Sequence, residues 1–262
     1  MTEITTDLGM PRPLAHFADK PFVGCAPQLR RLSTCWSNVS RSAPRVAVVL
    51  GETGIGKTHL IAHFARDVHA GGAAVLYGRC DPQPAAPYQP FVDALDHWVA
   101  AGSVELQEEA VPHLHELGAL IPALGATIRD TPCAAMARAG LFLHAVVALL
   151  ERIAAQRTLL LAIDDLQWAD DETMLLIRHL VRSLDPASGT LVLGLGQGGR
   201  PGRSRALLCE LRCEAELEEI HLAGFDQPID SPELVPAEAA YALPSVPGFS
   251  STAIPANAGP QP

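Results

Sequence analysis

Positive charge is scarce in this sequence. Its 262 residues include 19 lysines and arginines against 29 aspartates and glutamates, which gives a formal net charge of −10 at neutral pH. Proteins that bind nucleic acids neutralise phosphates with clustered lysine and arginine side chains. Several arginines do lie between residues 178 and 212, but their helical spacing favours solvated helix faces. We therefore expect no direct contact with nucleic acid.

Long hydrophobic runs are also missing. The aliphatic stretches are shorter than the roughly 20 residues that a membrane-spanning helix needs. The acidic start, MTEITTDLGM, lacks the basic and apolar segments of a secretion signal. The six cysteines are scattered, without the paired spacing of a disulfide framework or a metal site. These features predict a cytoplasmic protein with reduced thiols and no membrane contact.

Apolar runs and helical patterns alternate through most of the chain. Five segments are predicted to be strands, namely residues 45–50, 73–80, 158–163, 189–196 and 217–225. Strands that alternate with helices indicate βαβ crossovers and therefore a parallel sheet. The sequence thus predicts an α/β fold in which helices flank a parallel five-stranded sheet.

Three regions differ in composition. Residues 1–20 are expected to form a flexible leader, and residues 21–225 are expected to form the folded α/β domain. Residues 226–262 contain eight prolines. Because proline fixes φ and has no N–H to donate, this density predicts a disordered tail.

A glycine-rich turn lies between the first predicted strand and the helix that follows it. The sequence GETGIGKT fits the P-loop or Walker A pattern G-x-x-x-x-G-K-[ST], whose backbone N–H groups and helix N-terminus cradle phosphates. We expect Lys57 to reach the β- and γ-phosphates and the Thr58 hydroxyl to bind Mg²⁺. The predicted nucleotide-binding residues of the turn are Gly51, Glu52, Thr53, Gly54, Ile55, Gly56, Lys57 and Thr58.

A pair of carboxylates follows the third predicted strand. In TLLLAIDDLQWADD an apolar run ends in Asp164 and Asp165, which is the Walker B pattern. We expect Asp164 to bind Mg²⁺ beside Thr58 and Asp165 to orient or deprotonate a water molecule. The alternative is that the pair merely caps the next helix. Asp170 and Asp171 fit that role better, because they immediately precede the helical pattern.

The spacing of the two motifs indicates the order of the strands. One predicted strand lies between them in sequence, which is typical of the additional-strand class of P-loop ATPases, with sheet order 5-1-4-3-2. The base-reading motif N-K-x-D of G proteins does not occur. The tryptophan in DLQWAD, Trp168, is expected to be a packing anchor beneath the Walker B turn.

Four segments resemble, in the same order, the AAA-type ATPase domain of the large LuxR-family transcriptional regulators. They are FVGCAPQLRRL, GETGIGKTHLIAHFA, YGRCDPQPAAPYQPFVDAL and LLLAIDDLQWADDETMLLIRHLVRSL. The resemblance implies a signal-transduction ATPase that binds ATP or ADP with Mg²⁺ and gates assembly or an attached effector. It further implies backbone contacts from Val23 and Gly24 to adenine, and a homo-oligomer or a partner regulatory protein.

The sequence departs from that family in three places. Cys25 stands where the family usually has a basic residue, and Gln197 stands about where a sensor arginine is expected, with Arg200 three positions later. The family continues into a helical lid and a helix-turn-helix, whereas this chain runs into its proline-rich segment. The resemblance therefore implies a truncated member that lacks a lid and its own DNA-binding domain.

Two functions remain open at this point. The first is an ATP-binding, weakly hydrolysing signal-transduction ATPase, in which Lys57 offsets phosphate charge and Asp165 acts on water. The alternative is a non-catalytic nucleotide-binding or protein-interaction remnant of a truncated regulator. The intact phosphate loop and carboxylates favour nucleotide binding. The missing lid disfavours turnover, because a half-open site does not exclude water.

Overall fold

A computed structural model describes most of the predicted domain. The described residues are 9–20, 24–37, 45–83, 86–101, 135–183, 189–196 and 203–222. Predictions for Val23, Gln197, Arg200 and the proline-rich segment 226–262 lie outside this set, as does the whole region of residues 102–134. Among the described helices, none is long and apolar enough to cross a membrane.

The five predicted strands form one parallel sheet. Their bounds are Arg45–Leu50 for β1, Ala74–Arg79 for β2, Leu159–Asp164 for β3, Gly189–Leu195 for β4 and Glu216–His221 for β5. The strand order is β2-β3-β4-β1-β5, and every neighbouring pair is parallel. This is the predicted order 5-1-4-3-2 read from the other edge, so the strand-order prediction is confirmed.

Helices cover both faces of the sheet. Their bounds are Arg12–Ala18 for α1, Ala26–Ser37 for α2, Lys57–Ala70 for α3, Gln89–Ala101 for α4, Ala135–Gln156 for α5, Asp171–Ser183 for α6 and Arg203–Glu214 for α7. A short 3₁₀ turn, Leu166–Trp168, lies between β3 and α6. The helices α1, α2 and α3 pack on one face, and α4 to α7 pack on the other.

The strands β1 to β4 are buried on both sides, which explains their long aliphatic runs. On the α3 face the core includes Leu60 and Phe64, and on the other face it includes Phe91 and Leu150. Every residue of β3 is buried. A strand covered by helices on both faces must be apolar at successive positions rather than at alternate ones. The uninterrupted apolar runs in the sequence follow from this covering.

The helix α1 differs from the expected flexible leader. Its Leu14 and Ala18 are buried against the α3 face. Two side chains of α3 also hold its C-terminal end: Arg66 Nη1 donates to Ala18 O at 3.0 Å, and His63 Nε2 lies 3.0 Å from Lys20 O. The expectation of a flexible leader is therefore wrong for residues 12–18, because an apolar contact and polar contacts order them.

Candidate functional site

The candidate site lies at the carboxyl end of the sheet, around the glycine-rich turn. The turn follows β1 directly, and Gly51 N donates to Leu195 O of the neighbouring strand at 3.3 Å. Gly54 and Gly56 have φ values of +83° and +107°, a region that side-chain-bearing residues rarely adopt. Gly56 is the N-cap of α3, and because it has no side chain it cannot cap the first backbone N–H groups of the helix. The glycines thus give the turn its predicted shape at a helix N-terminus, where backbone N–H groups favour anions.

Lys57 is the first residue of α3, and its side chain folds back across the turn. It is 5% exposed, and its Nζ donates to Glu52 O at 2.8 Å and to Gly51 O at 3.2 Å. The ammonium group is therefore held against the backbone of the turn rather than extended into solvent. The remaining predicted contacts are more open: Glu52, Thr53 and Gly54 are exposed, and Ile55 packs partly against the core.

The structure brings Thr58 and Asp164 into direct contact. Thr58 Oγ1 donates to Asp164 Oδ2 at 2.6 Å, and Asp165 N donates to Asp164 Oδ1 at 2.8 Å. Asp164 is the last residue of β3 and is fully buried. Burial raises the pKa of its carboxyl group above the ordinary value, although the hydrogen bond from Thr58 opposes that shift.

Mg²⁺ binds through hard oxygen ligands, commonly one or two carboxylates together with phosphate oxygens. The hydroxyl of Thr58 and the carboxylate of Asp164 supply such oxygens at adjacent positions. A buried carboxylate with a raised pKa is also a group that a cation would stabilise. The donor set at this end of the sheet therefore fits Mg²⁺.

Two further residues shape the surroundings of Asp164, and the sequence analysis missed both. Tyr77 on β2 points its hydroxyl at Asp164 Oδ2, at 3.4 Å, and burial raises the pKa of this phenol far above its usual range. On β4, a Cβ atom at Gly194 would lie 2.1 Å from Asp164 Oδ1. The sequence contained two signals for these residues, a hydroxyl group on the aliphatic strand β2 and a glycine within the aliphatic strand β4.

Asp165 has a backbone conformation and contacts of its own. Its φ is +54°, in the left-handed region, which aspartate tolerates better than most residues. Arg79 Nε at the end of β2 donates to Asp165 Oδ2 at 2.7 Å, and Gln167 Nε2 donates to Asp165 Oδ1 at 3.0 Å. The hydrogen bond to Asp165 raises the pKa of Arg79. Sequence reasoning found neither Arg79 nor Gln167, because neither belongs to the two motifs.

The 3₁₀ turn and the start of α6 confirm one expectation and correct another. Asp170 Oδ1 accepts a hydrogen bond from Thr173 N at 2.6 Å, so Asp170 caps α6 as predicted. Trp168 was expected to be a packing anchor, but it is 38% exposed. The 3₁₀ turn instead buries Leu166 and Gln167, and Leu166 provides the apolar contact that Trp168 was expected to make.

The predicted base-binding segment is described only in part. Gly24 has a φ of +84°, and Val23 lies outside the described residues. Cys25 is half-buried and packs against the α3-face core, and burial raises the pKa of its thiol. Cys25 therefore makes an apolar contact.

Three arginines of α6 and α7 are paired with carboxylates. Arg178 contacts Glu210, and Arg182 Nη2 lies 2.6 Å from Glu214 Oε1. Arg212 contacts Glu219 of β5. These contacts join α6, α7 and β5 across their solvent-facing sides. The positive charges of these three arginines are therefore matched by negative ones.

A parallel sheet in this strand order, with a glycine-rich turn between β1 and a helix, defines a P-loop NTPase fold. Comparison of the sequence with known families gives a match to the AAA ATPase domain over residues 21–193. This match covers more than half of the chain, so the protein belongs to the AAA ATPase domain family. No curated protein matches the sequence.

Several solved structures are similar in fold. A DNA replication initiation factor is 16% identical, with a TM-score of 0.41, and the match covers 79% of this chain and 49% of that one. The Aeropyrum pernix ORC1 protein, solved in complex with DNA, is 15% identical, with a TM-score of 0.46 and coverage of 79% and 47%. A Pyrococcus horikoshii signal-transduction ATPase with a tetratricopeptide repeat sensor is 14% identical, with a TM-score of 0.38 and coverage of 78% and 23%. This chain spans about half or less of those chains.

Proposed function

We propose that this protein binds ATP and ADP with Mg²⁺ at the turn of residues 51–58 and hydrolyses ATP slowly. The observation that carries the proposal is the 2.6 Å contact between Thr58 Oγ1 and Asp164 Oδ2, because it joins the phosphate turn to the carboxylate strand. Neither motif alone would place an oxygen pair there. Bound Mg²⁺ would neutralise phosphate charge at this pair.

In this proposal, different residues of the chain bind the phosphates, the base and the attacking water. Backbone N–H groups of the turn and of the start of α3 hold the phosphates. Lys57, already folded over the turn, would exchange its contacts with the carbonyl groups of Gly51 and Glu52 for phosphate oxygens. Asp165 would orient or deprotonate the attacking water, and Val23 and Gly24 would contact the base through their backbone.

The wider role follows from the family resemblance. We assign the chain to the signal-transduction ATPases related to LuxR-family transcriptional regulators, acting in the cytoplasm through a homo-oligomer or a partner regulatory protein. Because the chain is acidic, the proposal includes no direct contact with nucleic acid. The competing function is a non-catalytic nucleotide-binding or protein-interaction module. The glycine-rich turn is exposed, and an open site admits water. This exposure favours the alternative, in which the chain does not hydrolyse ATP.

Lysine labelling offers a direct test of nucleotide binding. The sequence contains only two lysines, Lys20 and Lys57. An acyl-phosphate derivative of ATP, which transfers its acyl group to a lysine beside the bound phosphates, should label Lys57, and excess Mg·ATP should block this labelling. Lys20 is an internal control because it lies beyond the C-terminal end of α1, outside the turn. Equal labelling of both lysines, unaffected by ATP, would contradict the proposal.

A titration and a turnover assay then separate the two functions. Lys57→Ala should weaken Mg·ATP binding by about tenfold or more, because it removes charged hydrogen bonds to phosphate. Lys20→Ala, the same change at the other lysine, should bind as the unaltered protein does. Phosphate release that disappears in Asp165→Asn supports the ATPase. Binding without any phosphate release supports the non-catalytic module.

A further inference from the structure

Gln167 occupies an unusual position for a polar side chain. It lies in the middle of the 3₁₀ turn after β3 and is 6% exposed. Both ends of its amide group are hydrogen-bonded. Oε1 accepts from Gly196 N at 2.7 Å, and Nε2 donates to Asp165 Oδ1 at 3.0 Å. The side chain therefore connects the residue after β4 to the carboxylate after β3.

The contact with Gly196 determines which way the amide group points. A backbone N–H is a donor only, so the atom that faces it must be the amide oxygen. The amide nitrogen is then directed at Asp165, whose oxygen must accept. A Cβ atom at Gly196 would lie 2.9 Å from Gln167 Nε2, so the backbone approaches the amide more closely than a side chain would permit. Gln167 and Gly196 thus form a fitted pair.

The two groups that hold Asp165 differ in their surroundings. Arg79 is 66% exposed, so its side chain remains free to move and its charge is screened by water. Gln167 is buried and bonded at both ends, and it loses little further freedom in making its contact. Asp165 itself adopts the left-handed backbone conformation. The buried amide is therefore the fixed support for this carboxylate.

We infer that Gln167 is a positioning residue, which holds Asp165 in orientation for water activation and couples it to the end of β4. The inference rests on the proposed function, because it assigns Asp165 its role on water. The amide donates to the oxygen of Asp165 that Arg79 does not contact.

The substitution Gln167→Glu tests the hydrogen bond that the amide nitrogen donates to Asp165. Glutamate has nearly the same shape and still accepts from Gly196 N, but it presents a second carboxylate to Asp165. We expect kcat to fall about tenfold or more, whereas the affinity for Mg·ATP stays within about threefold. Gln167→Met, which keeps the volume without a charge, should lose kcat similarly. The matched control is Gln89→Glu, because Gln89 Nε2 donates to Asp93 Oδ1 at 2.6 Å on the exposed side of α4. It should leave kcat unchanged.

A swapped pair tests the contact without relying on hydrolysis. In Asp165→Asn with Gln167→Glu, the asparagine amide can donate to the glutamate, which restores the hydrogen bond in the opposite sense. The double variant should unfold at a higher urea concentration than Gln167→Glu alone, while its hydrolysis stays lost. A general packing defect would not be repaired by this second substitution.

These experiments distinguish failure of the inference about Gln167 from failure of the proposed function. The inference is overturned if the Gln167→Glu variant hydrolyses ATP at the same rate as the unaltered protein. It is also overturned if the double variant is no more stable than the Gln167→Glu variant. An unaltered protein that binds Mg·ATP but releases no phosphate also overturns the inference and leaves nucleotide binding intact. An unaltered protein that binds no nucleotide overturns the proposed function, whereas the urea midpoints still decide whether Gln167 supports Asp165.

Discussion

Thr58 Oγ1 donates to Asp164 Oδ2 at 2.6 Å across 106 positions of sequence. The contact joins the first turn of α3 to the last residue of β3. The strands β1, β4 and β3 are parallel neighbours, so all three end at the same edge of the sheet, where the two elements meet. The glycine-rich turn and the carboxylate thereby lie together at one end of the sheet.

Removing the hydroxyl of Thr58 should weaken nucleotide binding in a metal-dependent way. Thr58→Val keeps the shape of the side chain but provides no oxygen for Mg²⁺. We expect ATP affinity in the presence of Mg²⁺ to fall about tenfold, with little change when EDTA is present. Calorimetric titration under both conditions measures the difference. Thr34→Val is the matched control, because Thr34 bonds only locally, to Arg30 O within α2. Equal losses with and without Mg²⁺ would contradict the assignment of Thr58.

Neutralising Asp164 should stabilise the nucleotide-free fold while it abolishes metal-dependent binding. Burial raises the pKa of this carboxyl above its ordinary value of 3.8. Between the ordinary and the raised pKa, the folded protein binds a proton more tightly than the unfolded chain does. Its stability therefore falls as the pH rises through that window. Asp164→Asn removes the free-energy cost of burying a negative charge. The hydroxyl groups of Thr58 and Tyr77 can turn to accept from the new amide.

Urea unfolding at several pH values checks this prediction. The gain in stability of Asp164→Asn over the unaltered protein should be largest at neutral pH and should shrink as the pH falls toward 4. ATP affinity in the presence of Mg²⁺ should drop in the same variant. An Asp164→Asn protein that is less stable at neutral pH would show that the buried carboxylate is already well compensated.

The glycine on β4 should not tolerate a methyl group. Gly194→Ala would place a Cβ atom 2.1 Å from Asp164 Oδ1 and 3.1 Å from Ile61 Cδ1. Either the carboxylate or the strand must shift, which we expect to cost about 1–3 kcal/mol. Thermal unfolding measures this cost. Gly9→Ala is the control, because nothing lies within 4 Å of its added Cβ atom. Equal stabilities of the two variants would mean that Asp164 does not need this space.

Residues 12–18 should contribute to the stability of the domain. Leu14 is fully buried in the α3-face core, so Leu14→Ala should cost about 2–5 kcal/mol of unfolding free energy. Leu175 on α6 is 47% exposed, and the same substitution there should change stability by about 0.5 kcal/mol or less. Urea unfolding of both variants provides the comparison. A negligible effect of Leu14→Ala would restore the view of residues 1–20 as a flexible leader.

The sequence alone determined the strand order, the glycine-rich turn and the carboxylate at the end of β3. The turn and the carboxylate can be predicted because each lies in one contiguous segment, and the strand order because the spacing of the two motifs is typical of one class of P-loop ATPases. Four apolar runs, a weaker fifth strand pattern and one pair of acids are enough to predict a parallel sheet with a phosphate site at its edge. In the structure, Thr58 and Asp164 are in contact at this edge.

Only the tertiary structure decided what surrounds the two carboxylates. Tyr77 and Arg79 belong to β2, Gly194 belongs to β4 and Gln167 belongs to the 3₁₀ turn, and no spacing in the chain links them. Their contacts arise from the alignment of neighbouring strands, which places Arg79 beside Asp164 and brings Gly196 to Gln167. Packing likewise determined that α1 is ordered and that Trp168 is exposed. Side-chain direction depends on the neighbours that folding brings together, and residue type alone does not specify those neighbours.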